Sequence, residues 1–122
     1  MFDHIGLGVS DLDASKTFLL RALAPLGVGV VMTVPDGIGL GKAQKPSFWL
    51  GTAQGKPQPL HIAFTADNRA QVDAFYRAAL AAGGKDNGPP GLRPHYHANY
   101  YAAFVIGPDG HNFEAVCHRP QA

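Results

Sequence analysis

The chain has 122 residues, of which 46% are hydrophobic and 16% charged, and its formal net charge at pH 7 is +1. This composition is typical of one globular domain, 1–122, and the scattered, nearly balanced charge argues against a nucleic-acid partner. A single cysteine excludes an internal disulfide, and no stretch approaches the roughly 20 apolar residues of a membrane span. No signal peptide is visible either. We therefore predict a cytoplasmic protein without a membrane partner.

The first predicted element is a β-strand over residues 3–9. Alternate side chains of a strand point to opposite faces. One face of this segment is aliphatic, and the other carries only His4, Gly6 and Gly8. A histidine on a face of small residues leaves room for a ligand and fills a core poorly.

An amphipathic helix follows the first strand. Its apolar positions from Ser15 to Leu23 have the i, i+3, i+4, i+7, i+8 spacing of one helix face. Asp11 or Ser10 is expected to cap its start, and Gly27 is expected to end it in the left-handed conformation.

Further strands complete the first half of the chain. Residues 27–34 and 46–52 read as strands, and the glycine-rich turn region 36–41 between them leaves room for another short one. The first half therefore predicts the order βαβββ.

The second half repeats this order. Residues 4–27 and 61–84 share seven identities at a constant offset of 57. The matching pairs are His4/His61, Ile5/Ile62, Phe18/Phe75, Ala22/Ala79, Leu23/Leu80, Ala24/Ala81 and Gly27/Gly84. The sequence thus contains two modules, 1–56 and 57–122.

The second module has its own helix and strands. Its helix is expected to be capped by Asn68 or Asp67 and to end at Gly84. Residues 99–106 and 111–118 read as strands around the tight turn GPDG, and 85–97 reads as a short strand followed by a mobile loop. We predict an α+β fold in which neither module has enough apolar surface to stand alone, so that their two sheets combine.

Three residues form a candidate metal site. His61 repeats the placement of His4, on a face shared with Ala63 and Thr65, and Glu114 lies in the middle of the last strand, NFEAVC. Two imidazoles and one carboxylate are a typical catalytic metal set with open positions for water or substrate. The alternative is structural: core histidines and a glutamate at a sheet edge.

The segment GLRPHYHANYY (91–101) supplies the other candidates. His97, Tyr101 or His95 could act as general acid or base, and Arg93 could hold a carboxylate or phosphate in a bidentate pair. The alternative is that the tyrosines begin a strand and the histidines are exposed. His118 shares the face of Glu114 but lies four residues along the strand, about 13 Å away, which is too far for the same ion.

Three motifs resemble the vicinal oxygen chelate superfamily, which includes glyoxalase, bleomycin-resistance proteins, extradiol dioxygenases and fosfomycin-resistance thiol transferases. They are HIGLGVSDLDASKTF, HIAF with its helix, and GPDGHNFEAV, in which Gly107 replaces the first Asp of the family signature. The resemblance implies paired βαβββ modules that curl into a cup, with helices outside, around a divalent metal held at His4, His61 and Glu114. Zinc, manganese, iron and nickel are all candidates for that metal.

The resemblance also indicates which relatives are most similar. Trp49 stands where glyoxalases have a fourth ligand, as in the fosfomycin-resistance transferases, whose sites draw residues from two chains. This implies a homodimer. Gly6 replaces a threonine of those transferases, and the chain has no basic residues for a phosphonate directly after Glu114, so fosfomycin is not the expected substrate.

The expected function is that of a metalloenzyme. The metal would act as a Lewis acid on a small molecule with adjacent oxygens, in a lyase, isomerase or transferase reaction. One alternative is a protein that binds a drug or metabolite without turnover, and another is an extradiol-type dioxygenase.

Overall fold

The computed structural model describes residues 1–121, which form the two predicted βαβββ modules. The first module contains β1 (Ile5–Val9), α1 (Leu12–Leu23), β2 (Gly29–Val34), β3 (Gly37–Lys42) and β4 (Lys45–Thr52). The second contains β5 (His61–Thr65), α2 (Arg69–Ala81), β6 (Lys85–Leu92), β7 (Tyr101–Ile106) and β8 (Asn112–Cys117).

Each module has one four-stranded mixed sheet. The strand orders are β1-β4-β3-β2 and β5-β8-β7-β6, with β1 parallel to β4, β5 parallel to β8, and the remaining pairs antiparallel. The α+β class is therefore confirmed. Within residues 1–121 the two sheets are not hydrogen-bonded to each other, so they do not close into one barrel. No helix in that range is long and apolar enough to cross a membrane.

Both helices begin at predicted caps. The Asp11 side chain accepts a hydrogen bond from the backbone N–H of Ala14 at 3.0 Å, and that of Asn68 accepts one from Gln71 at 2.9 Å. The Gln71 side chain in turn accepts a hydrogen bond from the N–H of Asp67 at 2.7 Å. These contacts satisfy donors that a helix start leaves free.

The helix ends differ slightly from the prediction. A short 3-10 turn, Ala24–Leu26, follows α1, and Gly27 then has a φ of 84° as expected. After α2 the left-handed residue is Gly83, with a φ of 102°, and not Gly84. Gly84 is needed for space instead, because a Cβ there would lie 2.4 Å from the Val105 side chain.

β6 is longer than the short strand predicted from its prolines. It runs through Pro89 and Pro90 as an edge strand, where missing N–H donors are tolerated, and its pairing with β7 is irregular on both sides of Gly88. Residues 93–100 then form a closed loop, in which the Arg93 N–H donates to the Tyr100 carbonyl at 2.7 Å.

The two modules share one hydrophobic core. Helix α1 packs against α2, and the rings of Phe48 and Phe64, one from each sheet, lie 5.4 Å apart inside the core. The helix-covered faces of both sheets therefore contribute to the same interior. The opposite faces, one of which carries His61 and Glu114, lie outside it.

Two hydrogen bonds between Ser10 and Asp109 also join the modules. The Ser10 hydroxyl donates to Asp109 Oδ1 at 2.5 Å, and the Ser10 N–H donates to Oδ2 at 3.0 Å. These hydrogen bonds, foremost that of the hydroxyl, lower the pKa of Asp109 below its usual value. Asp109 lies in the turn before β8 and has a positive φ of 62°.

Ser10→Ala is expected to lower the free energy of unfolding at pH 7 by about 1 kcal/mol. Because the pKa of Asp109 is lowered by folding, this stabilisation is complete above the usual value of 3.8 and is lost as the pH falls through the lowered pKa. Urea denaturation of both proteins at pH 7 and at about pH 2.5 measures the difference, which should shrink in acid. Asp109→Asn tolerates the positive φ and should show the same loss. An equal deficit for Ser10→Ala at both pH values would contradict the assignment.

Candidate functional site

Glu114 is the centre of the candidate site. It lies in the middle of β8, beside Ala63 of β5 and Phe104 of β7, on the face of the sheet opposite α2. Its side chain is only 2% exposed. Oε1 lies 2.8 Å from Nε2 of His61, and Oε2 accepts a hydrogen bond from the Tyr100 hydroxyl. Burial of a carboxylate is unfavourable unless it has such partners.

His61 is oriented by Asn112. The amide Nδ2 of Asn112 lies 2.8 Å from His61 Nδ1 and donates to it, so Nε2 carries the ring proton and donates it to Glu114. The Asn112 Oδ1 atom is buried and has no hydrogen-bond partner. A half-turn of this amide would let Oδ1 accept a proton from Nδ1 and would leave the Nε2 lone pair free. Asn112 can therefore hold His61 in either tautomer.

Tyr100 is a site residue that the sequence analysis did not select. Burial and its hydrogen bond to Glu114 raise the pKa of the Tyr100 hydroxyl to about 12. Its ring also contacts the ring of His118, with centroids 5.0 Å apart. The rings of His118 and Tyr100 thus lie together at the end of the strand that carries Glu114.

Tyr101, the predicted catalytic tyrosine, faces the other way. Its hydroxyl donates to Asp73 of α2 at 2.6 Å, and its pKa is raised by burial and by this hydrogen bond. Consecutive side chains at a strand alternate between faces, so only one of two neighbouring tyrosines can reach Glu114. The structure places Tyr100 there.

The predicted loop candidates lie around Tyr100. The Arg93 guanidinium lies 5.3 Å above the Phe104 ring and donates to the carbonyls of Gly91 and Pro89, both at 2.8 Å. His97 Nδ1 accepts a hydrogen bond from the N–H of Asn99, and its ring lies 5.7 Å from that of His118.

His95 stacks on Tyr96 within the same loop, with ring centroids 4.2 Å apart. No hydrogen bond joins it to Glu114 or His61 within residues 1–121. Both loop histidines are linked to Tyr100 through an intermediate ring, His95 through that of Tyr96 and His97 through that of His118.

His4 is separate from the other two predicted ligands. Its Nδ1 lies 2.8 Å from Asp3 Oδ1, and its side chain is 59% exposed. The hydrogen bonds that Asp3 accepts, first from Lys45 and then from His4, lower the pKa of Asp3. Among residues 1–121, no three His, Cys, Asp or Glu side chains lie close enough together to hold a metal ion. One chain thus brings together His61 and Glu114, and His4 lies apart from them.

Comparisons with known proteins agree with the module architecture. Residues 1–115 match the family model described as Glyoxalase/Bleomycin resistance protein/Dioxygenase superfamily. A comparison with curated protein sequences finds no match.

Solved structures are similar over nearly the whole chain. A glyoxalase/bleomycin resistance protein from Albidiferax ferrireducens is 31% identical, with a TM-score of 0.82 over 98% of this chain and 99% of that one. A glyoxalase-related enzyme from Fulvimarina pelagi is 22% identical, with a TM-score of 0.72 over 93% of this chain and 84% of that one. Together with the family match, the similarity to the Albidiferax protein shows that this chain belongs to the glyoxalase/bleomycin resistance protein/dioxygenase superfamily.

Proposed function

We propose that the protein is a metal-dependent enzyme that acts on a small molecule with two adjacent oxygen atoms. His61 and Glu114 of one chain and His4 of a second copy would hold a divalent ion. Superfamily membership supports the fold and the class of site, and the proposal of a metal rests on the residues around Glu114.

The observation that carries the proposal is the environment of Glu114. A carboxylate that is 2% exposed, on a sheet face outside the core, contacts an imidazole and a phenol and forms no ion pair with Lys or Arg among residues 1–121. Buried charges are normally paired or coordinate a metal. His61 Nε2 and Glu114 Oε1 are 2.8 Å apart, and a separation of about 3.0–3.5 Å would let both atoms bind one ion with bonds of about 2.0–2.2 Å.

The Oδ1 atom of Asn112, which has no hydrogen-bond partner, provides a second argument for a metal site. A histidine ligand typically donates its other ring N–H to an oxygen acceptor, which fixes the tautomer. Asn112 Oδ1 is buried, unpartnered and on the amide that already contacts His61 Nδ1. Rotation of that amide would satisfy Oδ1 and present Nε2 as a ligand, so the residues present fit a divalent ion.

The residues around the ion would then have separate roles in the reaction. The bound ion would supply Lewis-acid stabilisation of a negative oxygen on the substrate. Tyr100 would hold one oxygen of Glu114 and leave the other for the ion. His97 would move a proton, because its Nδ1 accepts from Asn99 and its Nε2–H is left for a ligand. Arg93 uses only two of its five donor hydrogens on backbone carbonyls and would hold an anionic group of the substrate.

A second copy of the chain would complete the site. His4 is exposed, and the two open sheet faces lie outside the shared core, so each face is free to pair with the other module of a partner chain. We therefore propose a homodimer with two equivalent sites. The buried thiol of Cys117 is consistent with the cytoplasmic location that we propose.

Elemental analysis of protein purified without added metal tests the function. We expect more than about half an equivalent of zinc, manganese, iron or nickel per chain, because a three-ligand site retains its ion during purification. Protein with less than about 0.2 equivalent that also fails to take up metal on reconstitution would contradict the metalloenzyme and would leave ligand binding without turnover as the function.

A further inference from the structure

A pocket opens between the two modules, and we call it the inter-module pocket. Its volume is about 370 Å³, within the range of about 300–1,000 Å³ that is usual for small-molecule sites. Its walls include Phe48 of β4 and Phe64 of β5, which belong to the shared interior. Phe64 lies opposite Ala115 in the β5–β8 register, so its side chain points away from the sheet face that carries Glu114. The pocket and the candidate metal site are therefore separate.

The interior of the inter-module pocket is apolar. Leu26 and Val28, from the segment that follows α1, line it together with the rings of Phe48 and Phe64. Val28 and Phe64 remain partly exposed although both pack against the core. Exposure of apolar surface to water is unfavourable, so a ligand with an apolar body would gain free energy by covering these side chains.

The mouth of the inter-module pocket is cationic. Two exposed lysines, Lys42 and Lys45, line it, and its lining contains no Asp or Glu. The lysines are direct cross-strand partners at the end of the β3–β4 hairpin. The turn between them consists of Ala43 and Gln44, both with the positive φ that a two-residue hairpin turn favours, 49° and 65°. This tight turn keeps the two lysines next to each other.

Only one of these two positive charges is balanced within the chain. Lys45 Nζ lies 2.8 Å from Asp3 Oδ2. Lys42 forms no ion pair or side-chain hydrogen bond among residues 1–121. Like charges directly opposite each other on neighbouring strands are destabilising. An anionic group between the two ammonium groups would replace this repulsion with attraction.

We propose that the inter-module pocket binds a small amphipathic carboxylate. The apolar body of the ligand would lie between Phe48 and Phe64, and its carboxylate would accept hydrogen bonds from Lys42 and Lys45. A cationic ligand would be repelled at the mouth, and a neutral one would leave Lys42 without a partner. The proposal does not depend on a metal, because none of the proposed metal ligands lines this pocket.

A ligand in this pocket would also connect the two modules. Phe48 and both lysines belong to the first module, whereas Phe64 and Thr65 belong to the second. A molecule that contacts both modules binds only while they are packed together, so it stabilises the folded chain by mass action. We therefore expect the Tm to rise with the concentration of the carboxylate.

Three probes that share one linear alkyl chain and differ in the head group test the charge preference. They are octanoate, octanol and octylamine. Isothermal titration calorimetry measures their binding to the wild-type protein as purified. We expect octanoate to bind at least about 10-fold more tightly than octylamine, with octanol between them, because the mouth attracts an anion and repels a cation.

Lys42→Met removes one ammonium group and keeps an apolar stem, and Lys56→Met is its matched control. Lys56 is also exposed but lies outside the pocket, so the control makes the same change in net charge. Lys42→Met should bind octanoate at least about 3-fold more weakly than the wild type and octanol equally well. Lys56→Met should bind both probes like the wild type.

Val28→Phe places a larger side chain in the pocket, and Val30→Phe is its matched control. Val30 lies on β2, is 47% exposed and does not line the pocket. Val28→Phe should weaken the binding of octanoate and octanol alike by at least about 10-fold, because it removes space that both alkyl chains need. Val30→Phe should change neither affinity. Should Val28→Phe fail to fold, Lys42→Met decides alone.

Glu114→Gln distinguishes this pocket from the candidate metal site, and it should bind octanoate like the wild type. Loss of octanoate binding in this variant would place the carboxylate at the metal site and overturn the proposal. So would the absence of octanoate binding, equal affinity for octanoate and octylamine, or unchanged octanoate affinity in Lys42→Met or in folded Val28→Phe. Protein found to contain no metal that still shows the expected preferences would contradict the proposed enzyme and support the pocket.

Discussion

Glu114→Gln is expected to abolish the stabilisation that a divalent metal gives to the wild-type protein. At a free metal concentration of about 100 times Kd, a ligand that binds only the folded state stabilises it by roughly 2.7 kcal/mol. For a chain of this length that corresponds to an increase in Tm of about 10 °C. Glutamine keeps the shape of the side chain and removes the charge next to His61, so the variant should unfold at the same temperature with and without metal.

Asp73→Asn is the matched control for Glu114→Gln. Asp73 also accepts a hydrogen bond from a tyrosine hydroxyl, that of Tyr101, but it lies on α2 behind the sheet. The control should keep the full metal-dependent increase in Tm, which thermal denaturation followed by circular dichroism will measure. Equal loss in both variants, or an undiminished shift in Glu114→Gln, would show that Glu114 is not a metal ligand.

Mixing two variants that each fail to bind metal is expected to restore metal binding. His4→Ala and Glu114→Gln should each hold almost no metal as pure proteins. Unfolded and refolded together in equal amounts, half of the dimers would contain one chain of each kind, and each mixed dimer would have one intact and one doubly defective site. Metal content should therefore recover to about one quarter of the wild-type value.

The double variant His4→Ala/Glu114→Gln provides the control for this experiment. Mixed with the wild type, it gives hybrid dimers in which each site lacks one ligand, so the hybrids should add no metal. A mixture of the single variants that stays empty, in a protein shown to be dimeric, would place all three ligands in one chain. Dialysis followed by elemental analysis gives the metal content in every case.

Much of the fold was predictable because its signals are local. The periodic apolar positions and the caps Asp11 and Asn68 define both helices, and the repeat of His4 at His61 predicts that the modules are equivalent. The burial of Glu114 was predictable only in part. Alternation along β8 places it on the open face, but its partner Tyr100 comes from outside β8 and has no sequence signal that separates it from Tyr101.

Two predictions depended on distances that the sequence does not contain. Gly83, not Gly84, ends α2, because the left-handed residue is set by where the helix stops and by the space beside Val105. Similarly, the sequence predicted His118 to lie too far along the strand to share an ion with Glu114, and the structure adds that its ring contacts Tyr100, because the 93–100 loop folds back over the end of β8.

The sequence by itself determined the two-module α+β architecture, the strand face shared by His61 and Glu114, and the superfamily. These properties follow from spacing along the chain, which alternation and helical periodicity convert directly into faces. The tertiary structure decided that His61 and Glu114 meet, that His4 lies apart from them, and that Tyr100 rather than Tyr101 contacts the carboxylate. These contacts depend on how distant segments pack and register against each other, which cannot be read from either segment alone.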